Sequence, residues 1–192
     1  MSFGWPTENE GGGLTDAIRN ACMKRKDRIL FFAAASNSGA DSGEWFPASH
    51  DFVTAVRATT YEGAFDAFNA PPDYAGADVM GTLGVDVPDA SRDPEAPERL
   101  ASGTSCATPI AAAIAALVLE ATKIESPMEY PIVSKSHDLD RLRSLAGMRE
   151  MFRAQKMSRK VGGRSWYLSA MPFCNLSMEE RRIVLGYAAL NA

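Results

Sequence analysis

The first half of the chain alternates between amphipathic and wholly apolar stretches. Residues 14–26 carry apolar side chains at helical spacing, which predicts a helix with one apolar face. The uninterrupted apolar run at 29–35 predicts a strand buried on both faces, as in a parallel sheet. A second strand is predicted at 52–58, which is rich in β-branched residues, and a short third one near 78–80. This order of elements predicts an α/β fold.

The second half predicts mainly helices. Residues 104–121 are almost wholly apolar, which predicts a helix buried on all sides. A charge-rich amphipathic helix is expected over 138–157, and a short strand at 166–168. Ser177 opens a capping-box pattern, Ser-x-x-Glu, that predicts a last helix. The Pro- and Asp-rich stretch 88–98 is expected to form a surface loop.

Composition narrows the classes of function. The 192 residues include 20 Lys and Arg against 24 Asp and Glu, a net charge of −4 that gives no electrostatic case for nucleic acid or an anionic membrane. The longest unbroken apolar run, 110–119, has about half of the roughly 20 residues that a membrane-spanning helix needs. Cys22, Cys106 and Cys174 are an odd, scattered set without zinc-ligand spacing, which favours a reducing compartment such as the cytoplasm. No metal or other cofactor is expected.

The start of the long apolar helix, residues 102–109, carries the sharpest candidate chemistry. A serine at a helix N-terminus lies among backbone N–H groups that lack helical partners, at the positive end of the helix dipole. Such groups stabilise negative charge that develops on a bound carbonyl oxygen. Taken alone, Thr104 or Ser105 is better explained as a helix cap.

Gly103-Thr104-Ser105, followed by Ala107 and Pro109 before an alanine-rich helix, resembles the nucleophile motif of the subtilisin-like serine proteases, the subtilases. Residues 1–4 resemble the family's substrate-pairing strand, and residues 34–37 resemble its oxyanion-hole segment. Residues 46–56 resemble the stretch that follows the oxyanion loop, and residues 68–84 resemble the family's Phe-Ser and Val-x-Ala-Pro-Gly passage. The resemblance covers residues 1 to about 123, and no motif of comparable specificity follows.

The resemblance implies a partial subtilisin-like three-layer α/β fold with a mostly parallel sheet and a buried helix after the nucleophile. It divides the chain into the C-terminal half of a catalytic domain, 1–123, and a mainly helical C-terminal extension, 124–192. The implied activity is that of a serine-type endopeptidase, with Ser105 as the nucleophile that forms an acyl-enzyme. The side-chain amide of Asn37 and the backbone N–H of Ser105 would form the oxyanion hole. The residues implied for substrate binding are Ser2, Phe3, Gly4, Ala34, Ala35 and Ser36.

Two positions depart from the family's pattern. Ser36 stands where the oxyanion segment usually has glycine, and its side chain is expected to narrow the primary specificity pocket or alter the backbone. Met80-Gly81-Thr82 replaces the family's Ala-Pro-Gly, which is expected to change the local turn. The first departure affects substrate preference, and the second affects local geometry.

A serine hydroxyl needs an adjacent base to act as a nucleophile. In subtilisins the order along the chain is Asp, His, Ser, so both partners should precede the substrate strand, which here begins at residue 1. The two histidines, His50 and His137, lie in segments expected to be surface loops, and neither is assigned the base. We therefore expect a fragment that lacks the Asp and His of the triad, needs the upstream half of the domain for activity, and is inactive and poorly soluble alone.

Two other functions stay open. A degenerate protease half could keep residues 1–5 as an edge that captures extended peptides by adding them as a strand. Alternatively, the chain is a structural module, with residues 138–192 as its interaction element. In every case the expected partner is a peptide or protein, with no role for nucleic acid or a membrane.

Overall fold

The computed structural model describes residues 1–8, 12–72, 78–89, 99–125 and 139–192. Five α-helices and seven strands lie within these ranges. The helices are α1 (Leu14–Lys24), α2 (Thr104–Glu125), α3 (Leu145–Arg153), α4 (Met171–Cys174) and α5 (Met178–Leu190). The strands are β1 (Phe31–Ala34), β2 (Val53–Thr59), β3 (Val79–Leu83), β4 (Val87–Asp89), β5 (Arg99–Ala101), β6 (Ser158–Gly162) and β7 (Ser165–Leu168).

Five of the strands form one sheet in the order β1-β2-β3-β7-β6. All neighbours pair in parallel except β6 and β7, which form an antiparallel hairpin. The apolar, β-branched composition of β1 and β2 suits strands covered on both faces, and both are largely buried. β4 and β5 make a separate two-stranded antiparallel ribbon. The mostly parallel α/β architecture predicted from the sequence is confirmed.

Helix α2 covers one face of the sheet. Its inner side buries Ala111, Ile114 and Val118 in the same core cluster as Val56 and Met80 of the sheet. The prediction that α2 is buried on all sides is wrong, because its outer side is exposed. That outer side includes Pro109, Ala113, Ala116, Leu117 and Glu120.

Within the described ranges, α2 is the one helix with the length and composition to cross a membrane, over Thr104–Lys123. Core helices of globular proteins meet the same criterion, and the inner side of α2 packs on the sheet.

Helix α1 covers the opposite face and completes a three-layer arrangement. Ile18 and Cys22 of α1 pack against Ala33, Ala48 and Val53 in a second, smaller apolar cluster. The sheet therefore has both faces covered near β1 and β2, where the loops that carry the candidate site begin.

The predicted helix over 138–157 is wrong as a continuous element. The described part is a 3₁₀ turn, Asp140–Arg143, followed by α3, and the two are separated at Ser144. Ser144 is extended (φ −85°, ψ 159°), and its Oγ accepts a hydrogen bond from the Gly147 N–H at 3.1 Å, so it serves as the N-cap of α3. Residue 138 itself lies outside the described residues.

The chain after residue 138 joins the main sheet and its core. β7, the strand predicted at 166–168, pairs in parallel with β3, and α5 begins with the predicted capping box at Ser177. Leu142, Phe152 and Leu185 are fully buried in the core cluster that α2 shares. Most of the loop predicted at 88–98 lies outside the described residues.

Candidate active site

The candidate site forms where β1 ends and α2 begins. The backbone of Met1 pairs with β1, because the Ala34 N–H donates to the Met1 carbonyl (3.0 Å) and the Met1 amino group donates to the Phe32 carbonyl (2.6 Å). Partial burial lowers the pKa of that amino group. A cavity of about 320 Å³ opens between these segments. It is lined by Ser2, Phe3, Gly4, Ala34, Ser36, Asn37, Ser38, Trp45, Thr104 and Ser105.

Ser105 occupies the first turn of α2, with its side chain at the exposed end of the helix. Its Oγ donates to the Ser2 carbonyl at 3.4 Å, and the Ser2 Oγ donates to the Ser105 carbonyl at 3.1 Å. Backbone N–H groups in a first turn lack an intrahelical acceptor, so the Ser105 N–H is available to a bound oxygen. The hydroxyl and this N–H therefore lie at the same cavity.

Asn37 is held by the residue that precedes Ser105. Its Oδ1 accepts hydrogen bonds from the Thr104 backbone N–H (2.8 Å) and the Thr104 hydroxyl (2.9 Å). Because a backbone N–H can only donate, the amide oxygen must face Thr104, which leaves the Nδ2 amino group as the free end. A Cβ at Gly103 (φ 154°) would lie 3.1 Å from Nδ2, so glycine there keeps room beside the amide.

Ser36 and Ala35 differ in their access to the cavity. Ser36 has φ 125°, in a region that side-chain-bearing residues rarely adopt, and such strain costs about 1–3 kcal/mol. Its Oγ accepts from the Ser38 N–H (3.2 Å) and also contacts the Ser38 Oγ (3.0 Å). Ala35 is fully buried, does not line the cavity, and uses its backbone to bond Val56 and Trp45.

A buried ion pair supports the cavity wall. Arg57 of β2, 2% exposed, donates to Glu44 Oε1 (2.6 Å) and to the Ala70 carbonyl (2.9 Å). Glu44 precedes Trp45, which lines the cavity, and the Ala70 N–H reaches the Ser36 carbonyl at 3.5 Å. One guanidinium therefore ties together the two loops that flank the oxyanion segment. Sequence reasoning missed Arg57, although an arginine in an otherwise apolar strand is a detectable signal.

The structure does not bring a base to Ser105 within the described residues. His50 lines a different cavity, and its Nδ1 accepts from the Phe52 N–H at 3.1 Å. His137 lies outside the described residues, as do residues 74–77 of the segment that resembles a family passage. In the part of the chain that the structure describes, no group of three His, Cys, Asp or Glu side chains could hold a metal ion.

Comparison with known proteins places this geometry in context. The sequence model of the subtilase family matches residues 1–141. The patellamide maturation protease PatA is 23% identical and superimposes with a TM-score of 0.56 over 84% of this chain and 54% of its own. The PatG macrocyclase in complex with peptide gives 18% identity and a TM-score of 0.61 over 96% of this chain and 50% of its own. The prenylagaramide maturation protease PagA is 22% identical and gives a TM-score of 0.54 over 80% of this chain and 52% of its own.

These structural likenesses establish the fold. The chain spans about half the length of the structures it matches. The family match covers residues 1–141 of 192, well over half of the chain. On that match and on the subtilisin-like arrangement of sheet and helices, the chain belongs to the subtilase family of serine proteases.

Proposed function

We propose that the chain carries the nucleophile and the oxyanion hole of a serine endopeptidase that cleaves peptide bonds through an acyl-enzyme on Ser105. The observation that carries the proposal is the pair of hydrogen bonds from Thr104 to Asn37 Oδ1. Because these bonds hold Oδ1 toward Thr104, the Nδ2 donor of Asn37 points away from Thr104. The Asn37 side chain lines the same cavity as Ser105.

The chemistry follows from these positions. The Ser105 Oγ attacks the carbonyl carbon of the scissile bond, and its proton passes to a base. The carbonyl oxygen becomes negative and accepts hydrogen bonds from Asn37 Nδ2 and the Ser105 N–H, at the positive end of the α2 dipole. Collapse of this intermediate releases the amine with a proton and leaves an ester on Ser105. Water then cleaves the ester by the same route.

Substrate binding is proposed for the two segments that face each other across the cavity. Ser2, Phe3 and Gly4 supply a backbone edge, to which a peptide would be held by backbone hydrogen bonds as an added strand. Ala34 and Ser36 line the cavity opposite that edge, and Ala35 lies behind them with its backbone N–H and carbonyl bonded to Val56 and Trp45. The Ser36 side chain lies in the cavity lining, which favours small substrate side chains beside it.

We further propose that the histidine and aspartate of the triad come from a part of the protease domain that this chain does not include. Two observations support this: the Ser105 Oγ donates to a backbone carbonyl, and the chain spans about half the length of its structural neighbours. On this proposal residues 1–123 are the protease half, residues 124–192 are an extension that supplies β6 and β7, and the 192-residue chain alone is inactive.

A fluorophosphonate probe, which labels activated serines, tests both the assignment of Ser105 as the nucleophile and the proposal that its base lies outside this chain. The sequence upstream of Met1 in the gene is translated, and the longer product is expressed if it encodes an Asp and a His-Gly-Thr motif. We expect labelling of that product, loss of labelling in Ser105→Ala, and retention in the matched control Ser102→Ala. Labelling that survives Ser105→Ala would refute the nucleophile, and rapid labelling of Ser105 in the 192-residue chain would refute the missing base.

A peptide-binding module without catalysis is the second candidate. It is favoured by the mutual hydrogen bonds between Ser2 and Ser105, which occupy the nucleophile in the absence of a base. An upstream sequence without Asp and His motifs, together with peptide binding that leaves the peptide intact, would select it over the protease.

A further inference from the structure

A second cavity, of about 220 Å³, lies beside the amino-terminal ends of β2 and β3. It shares no lining residue with the cavity at Ser105. Arg149 and Arg153 of α3 and Arg164 of the β6–β7 turn line one side of it, and the loop that contains His50 lines another. Three guanidinium groups therefore meet at one small cavity with no part in the proposed peptidase chemistry.

Two of the three carboxylates of this cavity already have partners. Asp78 accepts a hydrogen bond from Arg153 at Oδ2 and another from Arg164 at Oδ1, the second at 2.9 Å. Glu44 Oε1 accepts a hydrogen bond from Arg57 at 2.6 Å. Asp51, the remaining acid, is exposed. The cavity walls therefore have few carboxylate oxygens to offer a ligand.

Hydrogen-bond donors, in contrast, are in excess. Arg149 has five N–H groups, and its only hydrogen bond among the described residues is a long one, 3.4 Å, to the Val53 carbonyl. The other N–H groups of Arg149 have no acceptor among the described residues.

We propose that this cavity binds a small oxyanion, held by Arg149 with Arg153 and Arg164 at its side. A ligand with several acceptor oxygens matches the donors that Arg149 leaves unused, and guanidinium groups bind phosphate and carboxylate oxygens in pairs. The volume limits the ligand to the size of inorganic phosphate or a compact carboxylate. Bound there, the anion links α3 to the β6–β7 turn.

The test is thermal unfolding of the 192-residue chain in sodium phosphate, sodium malonate or sodium chloride at equal ionic strength and pH 7. A ligand at about twenty times its Kd should raise the Tm by about 4 °C over the chloride control. Malonate in place of phosphate distinguishes a carboxylate ligand from a phosphate ligand. Titration followed by phosphorus-31 NMR line width, or calorimetry for malonate, measures the same binding without unfolding.

Variants locate the site. Arg149→Gln should weaken binding at least tenfold, while Arg19→Gln, the same charge change on the exposed side of α1, should leave it unchanged. No Tm rise with either anion, or an equal rise in wild type and in the folded Arg149→Gln variant, would overturn the proposal.

Discussion

Replacing Asn37 by Ala and by Asp separates its structural role from its proposed chemical one. Alanine removes the acceptor for both Thr104 donors, whereas aspartate keeps an oxygen in that place but has no N–H to offer an oxyanion. The two variants should therefore differ in stability and agree in loss of catalysis.

The magnitudes follow from the burial of Thr104. This residue is 1% exposed, so Asn37→Ala leaves two buried donors unmet, each worth about 1–3 kcal/mol. We expect a loss at the lower end of the summed range, about 2 kcal/mol in the free energy of unfolding. Asn37→Asp keeps both bonds and adds a negative charge at the N-terminus of α2, worth about 0.3–1 kcal/mol in favour of the fold.

Urea unfolding at pH 7, followed by circular dichroism, measures the difference. With a slope of about 2 kcal/mol per molar, the alanine variant should unfold at a midpoint about 1 M lower than wild type. The aspartate variant should match wild type or exceed it, and Ser105→Ala, a change at an exposed residue, should stay within about 0.5 kcal/mol. An aspartate variant as unstable as the alanine variant would show that the Thr104 bonds do not hold this loop. In an active form, both variants should lose about 10²–10³ in kcat, the range known for one oxyanion donor in a subtilisin.

Three further substitutions test the packing and the ion pairs. In Gly147→Ala the new Cβ would lie 2.1 Å from a backbone carbonyl oxygen, so we expect a loss of about 3 kcal/mol by thermal unfolding, against almost no change in Gly162→Ala, where nothing lies within 4 Å. Burial opposes ionisation of Asp78, but hydrogen bonds and charges from two arginines outweigh it and lower its pKa below the ordinary 3.8. The ionised carboxylate therefore stabilises the fold above pH 3.8, and this contribution is lost as the pH falls through the lowered pKa. The difference in free energy of unfolding between wild type and Asp78→Asn, measured by urea unfolding, should shrink between pH 7 and pH 2. Arg57→Met leaves a buried carboxylate without its guanidinium and should cost about 3 kcal/mol in urea unfolding, with partial recovery in the double variant with Glu44→Gln; additive losses would contradict the coupling.

Local patterns in the sequence were enough to predict several elements of the fold. The apolar run at 29–35 and the β-branched run at 52–58 predicted β1 and β2, because burial on both faces leaves a continuous apolar signature. The Ser-x-x-Glu pattern predicted the start of α5, because capping is a contact within four residues.

Contacts that hydrophobic periodicity does not encode account for what sequence reasoning missed. The helix predicted over 138–157 breaks at Ser144, which caps α3 through the Gly147 N–H, and Gly147 packs directly against the turn at Arg141. The burial of α2 on one side only reflects what packs around it, whereas composition reports only its apolar character.

The candidate site was predictable in residue types and not in geometry. Ser105 and Asn37 were identified through two short, separate segments, and the structure places them at one cavity through Thr104, which lies 67 residues from Asn37. The predicted substrate residue Ala35 is buried behind that cavity, while Trp45 lines it without having been predicted. Whether a side chain faces the cavity or the sheet depends on backbone torsions such as the unusual φ of Ser36.

The pairing of β3 with β7 has a consequence for synthesis of the protein on the ribosome. The partner strand begins at Ser165, 82 residues after β3 ends at Leu83 (165 − 83 = 82). At about 5–20 residues per second, β3 emerges with one edge unpaired for roughly 4–16 s before its neighbour exists. Nascent chains that stall within this interval expose an apolar strand edge to one another, which makes them prone to aggregate at this stage of their production.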